Sequence, residues 1–146
     1  MPYTIGRGSR SAADAVIKKE LEALLASSRG EKGRAVTLAK EAAAAEDAMS
    51  FDFGPPAVVK PAHELAGELL LALGKHADAR AEFERSLALA PGRALSILGL
   101  ARAAARSGDQ TAATEAYRRL AALWRKADMD LPEQTELRES RVLAAR

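Results

Sequence analysis

A 34-residue echo in the second half of the chain constrains its fold more than any other feature. Gly74 is followed 34 residues later by Gly108, Ala79 by Ala113 and the aromatic Phe83 by Tyr117. At the same shift Gly67 falls on Ala101, small on small, and Ala66 on Leu100. Each recurrence has a steric meaning. A small residue at 67 or 101 lets two helices approach closely. Glycine at 74 or 108 supplies a sharp turn. Alanine at 79 or 113 sits at a close crossing, and the aromatic fills the gap one turn later. One period therefore encodes a helix–turn–helix hairpin, over residues 61–93 and again over 95–126. The expected fold is all-α, a solenoid of stacked helical hairpins. Abundant alanine and leucine with only 4% aromatics agree with it, because unbranched side chains lose little freedom in a helix.

Apolar residues at spacings of three and four place the individual helices. Residues 1–10 show no period and are expected to be a flexible tail, with Ser9 or Ser11 capping helix one. That helix carries Ile17, Leu21, Leu24 and Leu25 on one stripe and ends at Arg29-Gly30. Helix two, over 31–48, has Val36, Ala39, Ala42 and Ala43 as its apolar positions. The segment 50–60 (SFDFGPPAVVK) breaks the pattern, since adjacent prolines cannot continue a helix. Helix three (61–73) places Ala66, Leu69, Leu70 and Leu73 on one face, and helix four (77–90) Ala79, Phe83, Leu87 and Ala90. Helix five (93–107) has Ile97, Leu100, Ala101 and Ala104. Helix six (110–126), with Asp109 as its N-cap, has Ala113, Ala116, Tyr117, Leu120 and Trp124. Helix seven begins near Asp130, with Glu133 in a capping-box position, and carries Leu137, Val142 and Leu143. Residues 11–146 thus form one domain of about three hairpins. The first, 11–49, is degenerate, 50–60 is a loop insertion, and 130–146 is a C-terminal capping helix with a polar outer side.

The small residue, turn glycine, alanine, aromatic and closing proline at Gly67, Gly74, Ala79, Phe83 and Pro91 resemble the tetratricopeptide repeat. In the next copy Ala101, Gly108, Ala113 and Tyr117 match, with Arg125 where proline is expected. In 11–49 Gly30, Ala35, Ala39 and Ala42 align without an aromatic, and the phrase FDFGPPAVVKPAHEL is similar to bacterial proteins of that family. The resemblance implies a non-catalytic scaffold module that binds a protein or peptide on a concave surface formed by the first helix of each pair. It places Glu64, Glu68, Leu71 and Ala72 of helix three on that surface, with Leu98, Arg102, Ala105 and Arg106 of helix five. Family members that hold a carboxylate tail use lysines and asparagines there. Glu64 and Glu68 disfavour such a ligand and favour a partner with basic groups. The competing reading is an internal salt-bridged surface, an acidic helix facing a basic one.

Other chemistry finds little support. Phe51 and Phe53, bracketing Asp52 in the insertion, either grip a partner or fold back as a plug, and the plug is the better expectation because exposed phenylalanine pairs are uncommon. The two histidines, His63 and His76, have no metal-ligand spacing, and no phosphate loop or nucleophile elbow is present, so neither cofactor nor metal is expected. An enzyme would need a pocket with paired carboxylates near His63. The alternative function is a nucleic-acid accessory role for basic residues of the last two helices, Arg118, Arg119, Arg125, Lys126, Arg138, Arg141 and Arg146. They are interleaved with Glu115, Glu133, Glu136 and Glu139, and the formal charge is only +2, which makes nucleic acid the weaker expectation. Cysteine is absent, which removes disulfides and thiolate metal sites without fixing the compartment. No apolar run could span a bilayer, and Met1–Arg10 lacks the apolar core of a secretory signal, so a cytoplasmic location is expected. The apolar stripe of helix one would be covered by the tail or by a second copy in a homodimer.

Overall fold

The computed structural model describes residues 7–49, 58–127 and 132–144, with side chains over 11–49, 58–127 and 132–140. It contains α1 (Arg7–Ser28), α2 (Lys32–Asp47), α3 (Ala62–Ala72), α4 (His76–Leu89), α5 (Ala94–Arg106), α6 (Gln110–Leu123) and α7 (Pro132–Ala144), and no strand among the described residues. Consecutive helices pack as antiparallel hairpins, α1 on α2, α3 on α4 and α5 on α6, and each hairpin stacks on the next through α2–α3, α4–α5 and α6–α7. The expected all-α helical-repeat architecture is what the chain adopts. No described helix is long and apolar enough to cross a membrane.

Three hairpins close in the same way. Gly30, Gly74 and Gly108 have φ of 79°, 73° and 85°, values that any Cβ would strain. After each glycine the next amide donates back to the carbonyl five residues earlier: Glu31 to Ala26 at 2.9 Å, Lys75 to Leu70 at 3.0 Å and Asp109 to Ala104 at 3.0 Å. The first hairpin, degenerate in sequence, therefore shares the closure of the two clear repeats. Asp109 caps α6, its carboxylate accepting from the Ala112 amide at 3.0 Å.

Several boundaries move. α1 begins at Arg7, so 7–10 belong to the helix and not to the tail; the glycine there, Gly8, falls in the first turn, where it costs little. Pro61 is the N-cap of α3 and not its first residue. α6 ends at Leu123, three residues before Lys126. Asp130, and hence the capping box with Glu133, lies outside the described residues, as do Phe51 and Phe53. Of the insertion only Val58, Val59 and Lys60 are described, and Val58 is buried against α1 and α2.

The packed face of α1 also differs from the stripe read in the sequence. Ala13, Val16, Ala23 and Ala26 are buried, whereas Leu21, Leu24 and Leu25 are 56%, 46% and 54% exposed. The partner face of α2 is Ala35, Ala39, Ala42 and Ala43. Two alanine faces allow the axes to come close, a separation that interposed leucines would prevent. α3 is the opposite case. It lies against α1, α2, α4 and α5, and everything from Ala62 to Gly67, with Leu70 and Leu71, is buried.

Between α3, α4 and α5 a single ring sets the spacing. Phe83 is fully buried, and a Cβ added at Gly99 or Gly67 would meet its atoms at 2.3 Å or 2.8 Å. The 34-residue shift paired Gly67 with Ala101 but gave no role to Gly99, which makes the tighter contact.

Candidate partner-binding surface

The first helices of the hairpins, α3, α5 and α7, carry residues at matching 34-residue positions: Glu68, Arg102 and Glu136. Arg102 donates to both oxygens of Glu136, Nη2 at 2.6 Å and Nε at 3.0 Å, and the Tyr117 hydroxyl donates to the same carboxylate at 2.8 Å. This strut joins α5, α6 and α7. Burial pushes the Glu136 carboxyl up, but the bonds from Arg102 and Tyr117 outweigh it and leave the group below the usual carboxylate range. The Tyr117 phenol moves the other way, raised by burial and by its bond to Glu136.

The residues expected on the groove divide between core and surface. Glu64 is fully buried in the first turn of α3, held by Arg93 through Nε and Nη2, both at 2.9 Å, and by the Ser96 hydroxyl at 2.6 Å. Burial raises its carboxyl, and the Arg93 and Ser96 bonds more than reverse that, so it stays ionised below the ordinary range. Leu71 packs with Leu70, Ala79, Phe83 and Ala103, and Leu98 with Leu87, Ile97 and Leu120. Glu68 is exposed and bound by Lys60 at 2.8 Å. Arg102 is spent on its strut, and Arg106 is exposed. The acidic and basic helices thus form internal bridges, but between partners that spacing alone does not reveal: Glu64 with Arg93, and Arg102 with Glu136.

An open cleft lies on the other side of that strut. It has a volume of about 970 Å³, with a floor of Ala105, Ala113 and Tyr117. Gln110, Thr111, Thr114 and Arg118 of α6 form one wall, and Glu136, Glu139 and Ser140 of α7 the other. Phe83 is swallowed because α5 offers Gly99 at the crossing. The corresponding ring, Tyr117, packs on the cluster that contains Ala101 of α5, and one period after Gly99 the sequence has Glu133 in place of glycine. α7 packs on α6 far less extensively than α5 packs on α4. Tyr117 consequently stays half-buried at the bottom of a gap.

The histidine that looked isolated is not. His63 is 2% exposed and sits between Glu82, 2.6 Å from Nδ1, and Asp47, 3.1 Å from Nε2. Glu46 beside it accepts from the Ala62 amide at 2.7 Å. Paired carboxylates do flank His63, and the ring itself is buried among α2, α3 and α4, with Asp47 reaching the surface. The set fastens the first hairpin to the second. Among the described residues no group of three or more histidine, cysteine, aspartate or glutamate side chains could hold a metal ion. Of the basic residues on the last helices, Arg118 is paired with Glu115, Arg119 donates to the Pro91 carbonyl and Arg138 to the Gln134 carbonyl. Arg125 and Lys126 are exposed just beyond α6.

No curated protein sequence matches the chain. Residues 60–143 match the family described as bacterial transcriptional activator domain, a span that opens beside the first hairpin junction and includes α3 through nearly all of α7. That match covers more than half of the chain, and with it the cleft and both clear repeats: the chain belongs to the bacterial transcriptional activator domain family.

Proposed function

We propose that this chain is a non-catalytic module of bacterial transcriptional activation that binds a protein or peptide partner in the cleft between α5, α6 and α7. The observation that supports it is the cleft itself, a large open gap in the family-matched region whose walls carry hydroxyls, amides and charges of both signs. Groups of that kind bind an extended backbone by accepting and donating hydrogen bonds, while Tyr117 offers an apolar face. Arg106, exposed at the end of α5, lies close enough to act on the charges of Tyr117 and Glu136, and would meet an acidic group at the rim.

The test is transcription from a reporter when the chain is fused to an unrelated DNA-binding domain. Thr111→Arg with Thr114→Arg fills one wall without touching the core. Activation should fall to the level of the DNA-binding domain alone, with unchanged helical circular dichroism. Undiminished activation by that variant would sink the cleft assignment. Binding of the purified chain to duplex DNA that weakens steeply with salt would instead favour the nucleic-acid role.

A further inference from the structure

We propose that a second copy of this chain docks on α1, the two helices lying antiparallel with Ile17, Leu21 and Leu24 as the seam. Solenoid ends ordinarily present a polar outer side, because an uncovered apolar face there has no neighbour. The outer side of α1 breaks this rule with three leucines near half exposure, 56%, 46% and 54%.

Two independent features bear on what covers them: register, which calls for a helix, and charge, which selects a second copy. The first is register. Aligning Gly30 with Gly74 places Leu21 on Leu65 and Leu25 on Leu69, and in α3 both of these belong to the cluster that holds Ala23 of α1 and Ala39 of α2. Leu21 and Leu25 therefore occupy the positions with which a first helix meets another helix. Asp14, Ile17, Leu21, Leu24 and Ser28 repeat at spacings of three and four, the narrow seam on which two helices pair. The second feature is charge. With Leu21 of one copy opposite Leu21 of the other, antiparallel pairing sets Asp14 beside Ser28 and Arg29 of the partner. Lys18 then lies within a turn of the second copy's Glu22. All four charged residues are exposed, and Asp14 and Arg29 make no ion pair among the described residues. Parallel pairing would stack Asp14 on Asp14 and Lys18 on Lys18. The surface thus fits a copy of itself in one orientation.

Sedimentation velocity of the full chain should show a concentration-dependent monomer–dimer equilibrium. Leu21→Glu with Leu24→Glu should be monomeric throughout, with unaltered helix content because both side chains already face solvent. Asp14→Arg should weaken the dimer, and adding Arg29→Asp should restore it. The chain has no cysteine, so orientation is read by cross-linking. Asp14→Cys with Ser28→Cys should form covalent dimers under oxidation, since these positions are about 21 Å apart within one helix and meet only across the interface. Ser28→Cys alone should not. A wild-type chain still monomeric at about 1 mM, the concentration of the weakest specific complexes, overturns the proposal. So does a dimer that survives the double glutamate substitution, or one that Ser28→Cys alone cross-links.

Discussion

The ring of Phe83 has no room to give at two places. A methyl group at Gly99 would stand 2.3 Å from it and one at Gly67 2.8 Å. Gly99→Ala should therefore destabilise the domain by about 1–3 kcal/mol through overpacking, measured by urea denaturation. Adding Phe83→Leu should reduce that penalty, because the two changes share one contact. Glu64 is a second sensitive residue. Glu64→Ala leaves the part-buried Arg93 guanidinium and the buried Ser96 hydroxyl without their acceptor and should cost about 1–3 kcal/mol, visible as a lowered midpoint in the same experiment. Glu20 acts in the opposite sense. It is buried with Oε1 lacking a hydrogen bond, and burial first, then the Glu46 charge, push its carboxyl up to about 7, against a small opposing pull from Lys60. A raised carboxyl favours the folded state while protonated. Its contribution is complete below the unfolded value of 4.5 and is lost as pH rises through about 7. Relative to Glu20→Gln, the wild-type melting temperature should fall between pH 5 and pH 8. An unchanged difference between the two proteins over that range would contradict the assignment.

Helices and turns were the most legible level. The three left-handed glycines and the Asp109 cap are local, and each is written in one or two residues. Asp109→Ala removes the cap and the Arg80 bridge at 3.0 Å and should lower the melting temperature; an unchanged thermal melt would contradict it. Facing directions were harder to read. In α1 the conspicuous leucines mark the outer side, because close packing on α2 selects alanines, which carry little hydropathic signal. Glu64, Leu71 and Leu98 were expected on a groove because they occupy first-helix positions, but α3 and α5 are enclosed on several sides, and helix spacing does not count neighbours. The His63 cluster was invisible for a different reason: Asp47, His63 and Glu82 come from three helices, and no motif joins them. The cleft was invisible for a similar reason: its lining comes from α5, α6 and α7, and no motif joins those residues.

Across the whole molecule, stability is unevenly spread, as expected when each hairpin touches only its neighbours. α7 rests on α6 by a limited contact, with Leu137 as its buried anchor and the Arg102–Glu136–Tyr117 strut as its polar one. Amide hydrogen exchange should therefore release α7 well before α3 and α5, and Glu136→Ala should accelerate α7 selectively. Equal protection of all three helices would contradict this ranking. The first junction, built on Asp47, His63 and Glu46, and the second, built on Phe83, leucines and the Glu64–Arg93 pair, also differ in character. Look-alike neighbouring units carry a hazard: a folding chain can pair one hairpin with the wrong successor, or exchange hairpins with another molecule. Here an α5–α6 hairpin from another molecule, seated where α3–α4 belongs, would offer its Leu98 to the Arg93 guanidinium in place of Glu64. Buried charge would lose its counterpart, and the mistaken assembly would be expelled. The chemically mismatched junctions thus act as a proofreading code, letting nearly identical bricks stack in only one order.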